Sequence, residues 1–277
     1  MSRGRDTSLE AVRKFWDERP CNIRHSDKPV GTRAYFDEVE ARKYFVEPHI
    51  PSFAEFHRWR DKRVLEVGCG IGTDTINFAR AGAWVTAVDL SPRSLDLAME
   101  RALVYGLEDR IRFVCADVEE LSKVIVPEPY DLVYSFGVIH HTPHPERAVE
   151  QIKTCFVGPQ SLLKVMIYHR WSWKMISTVL AKGHGAFWRL DELIAWESEA
   201  QRGSPVTFTY TRAGARNLLR GFEILEMQVD HIFPYRVSDY VKYRYVRNWY
   251  FRFLPAPWFR FLEHRLGWHL CITARPA

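Results

Sequence analysis

This 277-residue chain contains no apolar run approaching the ~18 residues that a membrane-spanning helix needs. Its opening stretch, Met1 to Arg19, is too polar for a secretory leader, so a cytoplasmic protein is expected. Cysteine is sparse. Cys21, Cys69, Cys115, Cys155 and Cys271 are odd in number, widely spaced and without a CxxC pair. That argues against a disulfide framework and against a zinc site, and the expectation is no metal and reduced, packed thiols. Charge of one sign is also weak: 39 Lys and Arg face 34 Asp and Glu, for a net +5. From Arg236 to Ala277 eight basic residues face two acidic ones, which leaves the rest of the chain at −1. A body so close to neutral disfavours a nucleic-acid partner, which calls for a stronger basic surface.

Hydrophobic residues, by contrast, make up 47% of the chain, enough for a sizeable core. Leu9 to Glu18 and Tyr35 to His49 read as helices, the second closed by Pro48 and Pro51. From residue 63 the pattern alternates. Strands are expected at Arg63–Val67, Trp84–Val88, Arg112–Cys115, Asp131–Ser135 and Ser161–Ile167. Helices are expected near Asp74–Ala81, Pro92–Tyr105 and Pro145–Cys155. This rhythm predicts an α/β fold with a parallel sheet covered by helices on both faces. It breaks after Tyr168, where a tryptophan-rich stretch carries Trp171, Trp173, Phe187, Trp188 and Trp196. A helix over Thr211–Arg220 and strands over Phe222–Val229 and Trp268–Ala274 follow.

The strongest local signal is Val64-Leu65-Glu66-Val67-Gly68-Cys69-Gly70-Ile71-Gly72, which runs from strand through glycine turn into helix. Glycines there let the backbone turn tightly and approach a ligand without a Cβ clash. Asp89 ends the next strand, where a carboxylate can accept both hydroxyl hydrogens of a ribose. No lysine follows the glycines as it would in a P-loop.

These residues resemble the class I methyltransferase family. EVGCGIG resembles its first motif, Ala87-Val88-Asp89-Leu90-Ser91 its second, and Cys115-Ala116-Asp117-Val118 its third. Tyr130 to His141, ending Ser135-Phe136-Gly137-Val138-Ile139-His140-His141, resembles the fourth, with the paired histidines of the ubiquinone- and menaquinone-biosynthesis-like branch that methylates small molecules. The likeness spans about Arg63 to Tyr168. It implies S-adenosyl-L-methionine as cofactor and a seven-stranded, mostly parallel Rossmann-like sheet whose last strand is antiparallel between its neighbours. It also implies site roles. Gly68, Cys69, Gly70 and Gly72 would pass under the methionine part, Glu66 would help position its amino group, and Asp89 with Leu90 would hold the ribose. Asp117 and Val118 would frame the adenine, and Phe136 would lie beside the methyl donor.

Methyl transfer needs alignment above all, and a base only where the acceptor must lose a proton. His140 and His141 are the catalytic candidates because they follow the fourth strand at the sheet's ligand-binding edge. The competing reading makes them loop residues bonded to backbone. His25 and Tyr35, in an N-terminal lid, and Tyr168 and His169, after the fifth strand, are candidates for contact with the acceptor. The chain is thus divided into an N-terminal helical cap over 1–60, a cofactor-binding core over 61–168, a helical insertion over 169–220, and C-terminal strands with an aromatic basic insertion over 221–277. The N-terminal segment and the insertion after strand five are expected to cap the sheet.

Eleven aromatics crowd the 42 residues from Arg236 to Ala277. Three readings compete there: a helical subdomain packed on the sheet edge, a peripheral contact with a membrane surface, and stacking on single-stranded nucleic acid. The function expected is methylation of a small, hydrophobic or lipid-like acceptor. The alternatives are an RNA or protein methyltransferase and a catalytically silent cofactor-binding subunit. The first of these is weakened by the near-neutral body and by Ser135-Phe136-Gly137-Val138 standing where many base N-methylating enzymes carry an Asn/Asp-Pro-Pro-Tyr motif.

Overall fold

A computed structural model describes residues 8–182 and 203–277. Its centre is a seven-stranded sheet of order β3-β2-β1-β4-β5-β7-β6. Strands β1 (Arg63–Val67), β2 (Trp84–Asp89), β3 (Ile111–Cys115), β4 (Tyr130–Phe136) and β5 (Val157–Tyr168) are parallel to one another. β7 (His269–Pro276) runs antiparallel between β5 and β6 (Phe222–Asp230).

Alternation along each strand sends side chains into two cores. Val64, Val85 and Leu132 face Ile76 and Phe78 of α4 (Thr73–Arg80) and Leu95 of α5 (Pro92–Tyr105). Leu65, Val88 and Val133 face Ala148, Val149 and Ile152 of α6 (Pro145–Cys155) and Leu218 of α8 (Arg212–Leu218). With both faces covered, β1 is buried from Val64 to Val67, as parallel strands between helical layers must be.

Local chemistry sets the helix limits. Ser91 caps α5 by accepting from the Ser94 amide, Pro92 opens its first turn, and Gly106 at φ 64° closes it, so its span is the one expected. The helix expected over 35–49 divides in two. α2 (Arg33–Val46) stops before Pro48, and Pro51 occupies the first turn of a separate α3 (Ile50–Ala54) rather than closing the preceding helix. β5 starts four residues earlier than expected, at Val157, beyond an irregularity in its pairing with β4 between Tyr130 and Leu132.

α1 (Leu9–Glu18) and α2 lie against α5, placing the N-terminal segment beside the carboxyl ends of the strands. After β5, α7 (Trp173–Lys182) buries Met175 and Val179 against Met166, Tyr168, Trp268 and Cys271. Phe187, Trp188 and Trp196 lie outside the described residues. The tail forms α9 (Val237–Tyr240), α10 (Trp249–Arg252) and α11 (Ala256–Leu266), with Phe251 and Phe259 buried against Ile232. It packs on the body, as the first of its three readings had it. Trp173 packs in this tail cluster against Tyr250 and Phe251, while Trp171 is half exposed.

Candidate functional site

The carboxyl ends of β1 and β2 are tied together by the glycine turn. Gly68 and Cys69 donate their amides to the Val88 carbonyl at 2.7 and 2.9 Å, and Gly70 donates to Asp89 Oδ2 at 2.8 Å. Asp89 Oδ1 accepts from the Ser91 amide at 2.9 Å. Burial raises the Asp89 carboxyl pKa, and these amides work against that shift. Gly68, Gly70 and Gly72 all have left-handed backbones, with φ of 77°, 53° and 76°. Their surroundings differ. A Cβ on Gly68 would strike Val138, whereas a Cβ on Gly70 would enter open space with nothing within 4 Å. That open cradle, walled by backbone and ending on a carboxylate, suits a ligand carrying vicinal hydroxyls.

Glu66 stands behind the turn, 3% exposed, its Oε2 accepting from Thr75 Oγ1 at 2.5 Å. Burial, helped by the nearby Asp74, pushes its carboxyl up to about 8. A carboxyl so placed fits an incoming ammonium group, which would let it ionise. Asp74 itself is fully engaged, by Lys43 Nζ at 2.7 Å, Tyr44 Oη at 2.9 Å and Tyr134 Oη at 3.0 Å. Further along the edge, Asp117 caps the turn after β3 by accepting from the Glu119 amide at 3.0 Å, beside buried Val118. Leu90, next to Asp89, is half-buried.

The edge beyond β4 is lined by rings. Phe136 lies 5.4 Å from His269 and 5.9 Å from His49, with Lys43 Nζ 5.9 Å from its centroid. Tyr168 stacks between His140 at 3.9 Å and Trp268 at 4.1 Å. His141 donates Nδ1–H to the Val206 carbonyl at 2.9 Å, which leaves the lone pair on Nε2. Neither ring nitrogen of His140 nor Nε2 of His141 has a hydrogen-bond partner among the described residues, although all three are buried. Burial lowers both histidines, His141 to about 4. Orphaned buried nitrogens facing a ligand-binding edge mark a place where a polar ligand group would be received.

α1 bridges these two regions. Asp17 Oδ1 accepts from Ser91 Oγ at 2.8 Å and from the Arg93 amide at 3.0 Å, while Trp16 packs edge-on 5.3 Å from His141. The other acceptor candidates are engaged within the protein. Tyr35 Oη donates to the Ile23 carbonyl at 2.8 Å, and its ring is buried with Phe36 and Val39. His25 Nε2 meets Tyr240 Oη at 3.2 Å, which joins the N-terminal segment to the tail. His169 donates Nδ1–H to the Gly267 carbonyl at 3.2 Å. Sequence reading missed Lys43, Glu47, His49, His231 and His269. No local motif marks them, and only folding brings them together.

Residues 64–156 match the family model for a methyltransferase domain. A ubiquinone biosynthesis O-methyltransferase from Chromobacterium violaceum is 37% identical over 93 residues, 34% of this chain and 39% of that protein. Matches span 25% to 62% of the length of the first curated relatives, less than two thirds of any of them. The magnesium protoporphyrin IX methyltransferase of Synechocystis PCC 6803, solved with bound S-adenosylhomocysteine, shares the fold at a TM-score of 0.59 and 16% identity, covering 98% of this chain and 100% of that one. A mitomycin 7-O-methyltransferase shares it at 0.52 and 16% identity, covering 95% of this chain and 60% of that one.

Proposed function

The domain at residues 64–156 belongs to the class I, Rossmann-like S-adenosylmethionine-dependent methyltransferases, and from that premise we propose that this chain methylates a small, hydrophobic acceptor. The observation that carries the reading is the cradle at Gly70, open to a ligand and fastened to Asp89, with the buried acid Glu66 behind it. Bound there, the cofactor supplies a sulfonium methyl for in-line displacement. The chain's own residues do the rest. Asp89 and Leu90 would hold the ribose, Glu66 would hold the amino group, and Asp117 with Val118 would border the adenine. Phe136 would sit beside the methyl group, and Trp16 of α1 packs edge-on against His141. His141 Nε2, neutral and aimed away from its backbone partner, accepts the proton of a hydroxyl acceptor or orients it. Tyr168 walls the acceptor chamber beside His140, whose unpartnered ring nitrogens offer a second place for a polar group of the acceptor. Relatives named for ubiquinone biosynthesis, a mitomycin and a magnesium porphyrin support an acceptor with a large apolar body.

The tail suits delivery of such an acceptor from a membrane surface. Trp249, Phe253 and Trp258 are 72%, 83% and 63% exposed, and Arg252, Arg260 and Arg265 are interleaved with them. Aromatic rings with guanidinium groups match an anionic headgroup zone. No helix among the described residues is long and apolar enough to cross a membrane.

The test is conversion of S-adenosylmethionine to S-adenosylhomocysteine by the purified chain with a panel of phenolic, carboxylic and amine acceptors. Acceptor-dependent product with a hydroxyl or carboxyl acceptor supports the proposal. Cofactor binding without turnover on any acceptor makes the chain a silent cofactor-binding subunit.

A further inference from the structure

One cluster at the edge of the acceptor chamber has no part in the mechanism above. Glu47 caps α2, His231 follows β6, and His269 opens β7. One carboxylate oxygen of Glu47 and one ring nitrogen from each histidine lie within 4.8 Å of one another. Glu47 Oε1 and His269 Nε2 are already 3.6 Å apart, near the roughly 3.4 Å that two ~2.1 Å bonds at a tetrahedral angle would set.

We propose that Glu47, His231 and His269 form a divalent transition-metal site beside the acceptor chamber. Two imidazoles and one carboxylate suit such an ion, and three protein ligands leave a coordination position open, as in sites that act on a substrate. The placement is rigid. Asp230 pairs with His269 in the β6–β7 ladder, and the Trp268 amide donates to the His231 carbonyl at 2.7 Å. His231 is held at φ 70°, a left-handed backbone rare for a side chain of its size. An outer partner is also in place. His269 Nδ1 lies 3.0 Å from His49 Nε2, and with Nδ1–H as the donor of that pair Nε2 would keep its lone pair for the ion. A cavity of about 560 Å³ lies beside the outer partner, lined in part by His49, Phe53, Asp230 and Cys271. Lys43 is matched by Asp74 at 2.7 Å, and Lys174 Nζ lies over the Trp268 ring at 4.7 Å.

The His269 ring meets Phe136 edge-on at 5.4 Å, so an ion here would lie near the ring proposed to sit beside the methyl donor. Its open position would take an acceptor oxygen and make that oxygen's proton easier to lose. This use rests on the methyltransferase reading; the existence of the site does not.

The experiment is calorimetric titration of chelator-treated full-length protein with Zn²⁺, and separately with Co²⁺ followed by visible absorption. One ion per chain is expected. His231→Ala and His269→Ala should each weaken binding at least about a hundredfold, and His49→Phe about ten- to a hundredfold as an outer-partner change. No stoichiometric binding, or binding unchanged in His269→Ala, overturns the proposal. Should the alanine variants fail to fold, pulsed electron paramagnetic resonance of the Cu²⁺-loaded wild type decides. Two coordinated imidazoles support the site; one or none overturns it. S-adenosylmethionine titrated into the same samples separates the two claims. Cofactor binding without metal sinks the metal site alone, and metal binding without cofactor sinks the methyltransferase reading alone.

Discussion

The backbone amide of Gly70 donates to Asp89 Oδ2 at 2.8 Å, so the glycine turn after β1 and the acid at the end of β2 are one unit. The two glycines of that turn should therefore respond differently to the same substitution. Gly68→Ala puts a Cβ into Val138 and should destabilise the fold by about 1–3 kcal/mol, the range for an overpacked core. The Cβ of Gly70→Val meets no protein atom within 4 Å. Beyond the strain of a β-branched residue at φ 53°, the side chain should fill the cradle and abolish cofactor binding. Asp89→Ala should weaken S-adenosylmethionine by about 1.5–3 kcal/mol, roughly ten- to a hundredfold. Thermal unfolding paired with calorimetry checks all three. Equal cofactor affinity in Gly70→Val and wild type would remove the ligand from this turn.

Glu66 offers a proton count. Its carboxyl is raised to about 8 by burial and is therefore mostly protonated in the free protein near pH 7. Holding the cofactor's ammonium group requires the carboxylate, so the proton must leave on binding. Cofactor affinity should accordingly weaken as pH falls below about 8, by up to tenfold per unit. Calorimetry at about pH 7 in two buffers of different ionisation enthalpy should report close to one proton released per chain. Glu66→Gln should abolish that release and lose affinity. An identical apparent enthalpy in both buffers would place the amino group elsewhere.

The parts of this molecule that follow local rules were legible in the sequence, and the parts assembled at a distance were not. The alternation of Val64 and Leu65, the turn at Gly68 to Gly72 and the acid at Asp89 each depend on neighbours a few residues away. Strand, turn and ribose-side acid could be placed from them, and α6 falls on its expected span. Glu47, His231 and His269 come from the end of a helix and from two strand ends that meet only through β6–β7 pairing, so no spacing betrays them. Tyr35 illustrates the opposite case. Its position in a lid segment suggested contact with the acceptor, but it falls on the inner face of α2, where packing buries the ring and the Ile23 carbonyl takes the hydroxyl.

His141 gives the protein an acid limit. In the folded state burial holds it down to about 4, while in the unfolded chain it returns to about 6.5. The unfolded state thus binds more protons between these values, so the contribution is intact above about pH 6.5 and is lost as pH falls toward 4. Its share is on the order of 3 kcal/mol at the acid end. His141→Phe should flatten the slope of urea-unfolding free energy against pH across that window. The Val206 carbonyl would stay satisfied, because Ser204 Oγ and Thr207 Oγ1 also donate to it at 2.8 Å. An unchanged slope would mean that His141 is reached by water in the folded protein.

The outward face of the tail makes the last demand. Phe251 and Phe259 anchor α10 and α11 to Ile232, so the helices are held in place and the exposed rings of Trp249, Phe253 and Trp258 are not needed to hold them. Arg252, Arg260 and Arg265 add positive charge to the same two helices. If this face meets a membrane, the protein should sediment with vesicles rich in anionic lipid and be released as salt shortens the reach of the charges, to about 8 Å at physiological ionic strength. Trp249→Ser combined with Phe253→Ser should reduce that binding while leaving thermal stability within about 0.5 kcal/mol, because exposed rings contribute little to the core. Cofactor affinity should not change, since neither residue contacts the glycine turn or Asp89. Protein that stays in the supernatant at low salt would turn the argument around. The exposed rings would then have no lipid partner, and the acceptor would have to reach the chamber beside Tyr168 and His141 as a dissolved molecule.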